Sequence, residues 1–238
     1  MVRFVRNSAL IGGIGILLGP ALYRVFDGSL LLSLGTLFLG AMAVALSGIT
    51  ALGAVLFGRG ASFDRQTLLA LGAGLCMGSL PANFVVGAMN APAIHDVTTD
   101  LANPPAFDRA RTLNSPGRTD YEGEDVASQQ RRAYPDLQPL ILSLPVEDAF
   151  EAALRVARES GWELLGADVS SGVIEASDET FWFGFTDDVV VRVRAQGEGS
   201  RVDVRSLSRV GVGDGGMNAR RVLGYLDRLA ENYGREGS

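Results

Sequence analysis

Apolar and polar positions alternate along this chain in three regimes. The first ninety residues hold three long apolar runs, at about 8–25, 29–57 and 67–89, and the last two carry no charged side chain. A bilayer core needs about 20 apolar residues in a helix, so the pattern predicts three membrane spans. Between Asn90 and Pro145 the periodicity fades. Pro, Asp, Asn, Arg and Ser dominate there, and turns are marked at Asn103-Pro-Pro105, Ser115-Pro-Gly117 and Tyr134-Pro135. Beyond Pro145 two short periods take over, one of 3.6 residues and one of two.

Val146 to Ser160 repeats apolar residues on one helical face, through Val146, Phe150, Ala153, Leu154 and Ala157. Pro145 suits the start, Glu147 and Asp148 suit the positive first turn, and Gly161 suits the stop. Four runs with strand character follow, at Trp162–Ala167, Gly172–Ser177, Phe181–Arg194 and Arg201–Val210. Short turns at Ser170-Ser-Gly172 and Gly197-Glu-Gly199 imply antiparallel hairpins. A second helix after Asp214 presents Ala219, Val222, Leu223, Leu226 and Leu229 on one face. Helix, meander, helix predicts an α+β two-layer domain, an antiparallel sheet with two helices on one face. The division expected is a membrane region at 1–89, an extended Pro-rich segment packing on the domain at 90–145, and the α+β domain at 146–238. Within the middle segment, Arg118–Arg132 is polar enough to be partly disordered, while Ile94, Leu101, Phe107, Tyr134 and Leu137 are apolar anchors.

Small residues recur every four positions on the apolar runs, at Gly15 and Gly19 and at Ala70, Gly74, Gly78 and Ala82. That spacing lets helix backbones approach closely, though glycine is also tolerated generally in membrane helices. Asn83, beside Pro81, is the strongly polar side chain of the third run. Arg3 and Arg6 precede the first run, and Arg59 and Arg65 separate the second from the third; Arg24 is offset by Asp27. The positive-inside rule then puts the N-terminus in the cytoplasm, and three spans put everything after Met89 outside it. A signal peptide is the other reading of the first run, but no small-x-small cleavage site follows, so a retained span is expected. The location implied is the bacterial inner (cytoplasmic) membrane, multi-pass, with the lipid bilayer as first partner.

Composition changes this picture little. All 21 basic residues are Arg, the net charge is −6, and the single cysteine, Cys76, allows no disulfide within the chain. A net negative chain without a basic face argues against a nucleic-acid partner. Metal-ligand spacing in His and Cys is absent, so no metal or other cofactor is expected.

The candidate chemistry centres on Arg201–Asn218, a strand that runs through a glycine-rich turn into a helix. On the polar face, Arg192, Arg194, Arg201, Asp203, Arg205 and Asp188 read either as a solvated face with cross-strand ion pairs or as an arginine surface for an anion. In the turn, glycines 211, 213, 215 and 216 with Arg205, Arg209 and Arg220 nearby offer backbone donors to an anion. Against this, Asp214 is placed to cap the helix and repel one. The binding candidates are therefore Arg205, Arg209, Asp214, Asn218, Arg192 and Asp203, with no catalytic residue assigned. Ser206 and Ser208 face the valine side as core hydroxyls, and His95, beside Asp96, has no local motif to complete a Ser-His-Asp set. Asp187 and Asp188 point to opposite faces. Phe181, Phe183 and Phe185 are expected in the core, with Trp182 on the other side.

Thr99-Asp100, Pro104-Pro105, Tyr134-Pro135, Gly161-Trp162, Phe183-Gly-Phe-Thr-Asp-Asp-Val-Val-Val-Arg192 and Asp203-Val-Arg-Ser-Leu-Ser-Arg209 occur in order, followed by Gly211, Asp214, Gly216 and Asn218. Over about residues 90 to 233 the chain resembles the domain of unknown function 1499 family. It departs at Gly215, where a bulkier residue is common, and in a polar insertion near 114–130. The resemblance implies the fold and N-terminal membrane spans, and no activity. Two functions are expected as alternatives: a non-catalytic, membrane-anchored envelope module binding an envelope protein or an anionic ligand, or an enzyme using an Arg/Asp/Ser cluster on a small anionic substrate.

Overall fold

A computed structural model describes residues 1–26, 29–57 and 63–234, with the backbone alone at 80–88 and 90. The chain forms two compact units, residues 1–86 with the loop Phe181–Gly184, and residues 87–180 with 185–238.

The first unit holds helices α1 (Val2–Arg24), α2 (Leu30–Leu56) and most of α3 (Arg65–Asn90). Its packing inverts that of a water-soluble core. Large apolar side chains face outward, Leu31 at 83 % exposure and Leu39 at 67 %, while the α1–α2 seam is built from glycine. A Cβ on Gly40 would lie 2.7 Å from the Gly12 carbonyl oxygen, and one on Gly19 would lie 2.6 Å from that of Ser33. Backbones this close gain dispersion contacts that lipid cannot supply. Gly15 joins that seam, and Gly74 and Gly78 face Val44.

The sequence pattern predicts three spans; among the described residues, two helices, α1 and α2, are long and apolar enough to cross a membrane. The third run does form the long helix α3, whose side chains are described over only part of its length. Arg59 and Asp27 lie outside the described residues, as does the side chain of Asn83.

The second unit is an antiparallel six-stranded sheet. Its strands are β1 (Asp96–Thr98), β2 (Leu140–Leu142), β3 (Glu163–Asp168), β4 (Val173–Glu179), β5 (Thr186–Gln196) and β6 (Gly199–Ser208). The order is β1-β6-β5-β4-β3, with β2 sharing the outer edge of β6 with β1. Asp96 pairs with Leu207 and Thr98 with Arg205, while Leu140 pairs with Val202 further along. Helices α5 (Val146–Glu159) and α6 (Met217–Tyr233) cover the valine face. Phe150, Val156, Val191, Val204, Val222 and Leu229 are all buried in one cluster there. Burying a side chain of this size contributes about 1.5–3 kcal/mol.

The structure departs from the sequence pattern at three places. Residues 118–132 are ordered around helix α4 (Glu124–Ala133). The α4 side chain of Gln130, almost fully buried, accepts from the Thr98 N–H at 3.0 Å and donates to its carbonyl at 2.6 Å, so a side chain completes the edge of β1. Next, β5 begins at Thr186 because Gly184, at φ +68°, breaks the strand. Phe181 is left 87 % exposed rather than in the core. Lastly, the polar face of the sheet is not solvated. Residues 99–122 lie across it, with Phe107 and Ala110 packed on Val190 and Leu207 in a second small apolar cluster.

Candidate functional site

Alternation along β6 puts Arg201, Asp203, Arg205 and Leu207 toward the overlying strap of residues 99–122, and Val202, Val204, Ser206 and Ser208 toward the helices. The six candidate residues therefore do not converge on one site. They separate into four groups, each with its own partners.

At one end, Asp203 is fully buried and accepts from Arg192 at 3.1 Å, Arg194 at 2.7 Å and Arg201 at 2.9 Å. The same three arginines reach Asp100 on the strap, at 3.1, 3.1 and 3.4 Å. Burial pushes the Asp100 carboxyl up, but the Asn103 N–H and the arginines outweigh this and hold it below the usual carboxylate range.

In the middle, Arg205 and Asp96 form a two-pronged pair, with Nε to Oδ1 at 2.9 Å and Nη2 to Oδ2 at 2.7 Å. Both side chains are 3 % exposed or less. Two more N–H groups of Arg205 donate to the carbonyls of Pro105 at 3.0 Å and Thr119 at 2.9 Å, and Phe107 and Tyr121 stack over the guanidinium at 4.9 and 5.4 Å. Burial and the Asp96 charge push the Tyr121 hydroxyl up to about 12. Beside this pair, the buried Glu175 of β4 accepts three strap N–H groups, from Asp108, Arg109 and Ala110.

At the far end, Arg209 holds Asp188 through two bonds of 2.9 and 2.7 Å, and Asn114 of the strap donates to the same carboxylate at 2.7 Å. Arg118 closes the strap by donating to the carbonyls of Ser208 and Gly211.

The fourth group lies on the opposite face. Asp214 accepts from Gly216 N–H at 2.8 Å and Asn218 N–H at 2.6 Å, occupying the donors of the turn with the chain's own carboxylate. The fully buried Asn218 accepts from Ser206 Oγ at 2.6 Å and donates to Ser208 Oγ at 2.9 Å and to the His95 carbonyl at 3.0 Å. Arg221 bridges Asp178 at 2.8 Å and Asp187 at 2.7 Å. Burial pushes the Asp187 carboxyl up, against the opposing pull of Arg221 and Ser208.

No nucleophile–base pair results from these contacts among the described residues. Ser206 and Ser208 are tied to Asn218. The His95 Nε2 lies 3.6 Å from Glu122, and burial together with Arg118 holds the imidazole below its usual range. No group of His, Cys, Asp and Glu among the described residues could hold a metal ion.

The sequence reading finds the basic half of each strap contact and misses most of the acidic half. Asp96, Asp100 and Glu175 do not stand out in the sequence as partners, although the surplus of arginines over carboxylates on β5 and β6 requires acids from elsewhere.

The fold and contacts define an antiparallel α+β domain strapped by buried ion pairs and carried behind apolar helices. The model of the family described as Protein of unknown function (DUF1499) matches residues 96–229, more than half of the chain, and the protein belongs to that family. No curated protein matches it.

Proposed function

We propose that the protein is a non-catalytic module of the cell envelope, anchored in the cytoplasmic membrane, whose folded domain lies outside the cytoplasm and binds an envelope protein or an anionic ligand. The observation that carries this reading is the commitment of the charged candidates to structure: Arg205, Arg209, Asp203 and Asp214 each spend their charge on a neighbour in the chain. Anchoring is supported by the outward apolar surface of α1 and α2. The placement outside is supported by Arg3 and Arg6 before the apolar stretch of α1, and it requires α3, which carries no charged residue from Gln66 to Asn90, to cross as a third pass.

The alternative enzyme has an Arg/Asp/Ser cluster to draw on, in Arg221, Asp187 and Ser206. There the hydroxyl is buried and already donates to Asn218, which leaves it no base to activate it. The test is a partner and ligand search by mass spectrometry on the detergent-solubilised full chain, alongside a panel of phosphate, sulfate and carboxylate esters. Reproducible turnover of any ester, lost in Arg221→Gln, would overturn the non-catalytic reading.

A further inference from the structure

We propose that a cleft beside α6 binds a phosphate group, held between Arg220 and Arg228 over Gly224. This rests on the binding-module reading above and gives it a place and a ligand class. The cleft, about 260 Å³, lies between α6, the end of α5 and β4. Arg220, Gly224 and Arg228 follow one another at four-residue intervals and so share one helix face. The two arginines stand about 12 Å apart along the axis, and the Arg220 guanidinium, which rests on Gly215 and Met217, must turn along the helix toward Gly224 to share an anion with Arg228. Between them the helix surface is bare: a Cβ on Gly224 would meet nothing within 4 Å.

The charge in this cleft differs from that under the strap. Arg221 is neutralised by Asp178 and Asp187, and Asp178 is the one carboxylate among the residues that line the cleft. Arg220 and Arg228 have no carboxylate partner among the described residues. Arg220 donates to the Gly215 carbonyl and the Met217 sulfur, and Arg228 to Ser160 Oγ. Each keeps N–H groups beyond these contacts, and both residues are exposed. The buried Trp162, stacked on Tyr225 at 4.9 Å, forms an apolar wall that keeps the site's geometry fixed. Two guanidinium groups lining one cleft suit the several oxygens of a phosphate better than a single-point contact does.

The test uses the full chain in detergent and measures inorganic phosphate and pyrophosphate binding by calorimetry against chloride at matched ionic strength. Wild type is expected to bind saturably. Arg220→Gln and Arg228→Gln should each weaken binding about tenfold, the scale of a lost charge-assisted contact. Gly224→Glu, which sets a carboxylate between the arginines and improves the helix, should abolish binding while preserving or raising the melting temperature. Arg109→Gln, on the far side of the sheet, should bind as wild type does. No saturable binding of either anion by wild type, or binding retained in Gly224→Glu, overturns the proposal. Vesicles with and without phosphatidic acid then separate the sources. Recruitment lost in Gly224→Glu assigns the phosphate to a lipid headgroup, and binding of free anions without recruitment assigns it to a soluble phosphoester. Release of phosphate from an ester would overturn the non-catalytic reading and leave the site standing.

Discussion

Arg205 grips Asp96 through two parallel hydrogen bonds of 2.9 and 2.7 Å in a layer closed to water. The pair joins the central strand β6 to the edge strand β1, and the Pro105 and Thr119 carbonyls add the strap to the same guanidinium. One side chain therefore organises three separate stretches of chain. Breaking a buried pair by removing one partner leaves an uncompensated charge, which costs about 3–5 kcal/mol. Arg205→Met and Asp96→Leu should each lower the stability of the folded domain by that amount in urea denaturation. Combining Arg205→Met with Asp96→Leu should restore part of the loss. A double variant as unstable as the sum of the two singles would show that the carbonyl and ring contacts, rather than the charge pair, hold the strap.

The α+β domain has its own core and should fold as residues 90–238 without the apolar helices. Phe150 sits in the middle of that core at 4 % exposure. Phe150→Ala should cost about 3–5 kcal/mol, the range for truncating a buried aromatic. An unchanged melting temperature for the variant would remove α5 from the core.

The part of this fold legible in the sequence is the part with short-range period. The apolar stripe predicts a helix over Val146–Ser160, and α5 forms over Val146–Glu159. The alternation predicts a strand at Arg201–Val210, and β6 forms over Gly199–Ser208. Asp214 is readable as a cap because the cap is local. Strands β1 and β2 are not readable, since three residues give no period and each is defined by its partner on β6. Helix α4 is hidden because it buries little apolar surface and contributes Gln130 instead. The arginines of the candidate site are visible and their partners are not: Arg205 and Asp96 are far apart in the chain and meet only once β1 has paired with β6.

The seam between α1 and α2 makes a separate demand. Gly40 lies so close to Gly12 that any side chain there must push the helices apart. Gly40→Leu should abolish the tight pairing, lowering the yield of detergent-stable full-length protein, while Gly35→Leu, with open space at the same helix's surface, should not. Equal behaviour of the two variants in a thermal stability assay in detergent would contradict the close approach.

The side of the membrane on which the domain lies is read by a reporter joined to the C-terminus, beyond α6, where the fusion leaves that helix intact. Alkaline phosphatase, active only outside the cytoplasm, is expected to be active there, with α3 crossing as the third pass. A silent phosphatase and a fluorescent GFP at the same point would place the domain in the cytoplasm behind two spans.

His95 gives the domain a pH dependence with a definite sign. Burial, with the Arg118 charge, outweighs the opposing pull of Glu122, Asp96 and Asp214 and holds its imidazole below the usual value of 6.5. The unfolded chain thus binds the proton more readily than the folded one. The stability this group contributes is fully present above pH 6.5 and declines as the pH falls toward the lower folded value. His95→Gln should flatten that slope. A melting temperature that rises as the pH drops below neutrality, in wild type but not in His95→Gln, would reverse the assignment.

The glycine-rich turn offers the sharpest contrast between a structural and a binding role. Its outward N–H groups at Gly216 and Asn218 are the donors that an anion would use, and Asp214 already accepts from both. Arg209, the cation expected to help, is held on the opposite face by Asp188. The turn therefore carries its own anion. Asp214→Ala should destabilise the domain by about 0.5–2 kcal/mol, the usual worth of a helix cap. It should also leave two donors unfilled at a helix N-terminus, so acetate should stabilise the variant more than it stabilises wild type. Arg209→Ala should lose stability through its orphaned partner Asp188 without changing that response. Thermal melts of the three proteins across an acetate series, at constant ionic strength, read both effects. If acetate stabilised wild type as strongly as Asp214→Ala, and Arg209→Ala removed the effect, the turn would be a ligand site and Asp214 would not be its cap.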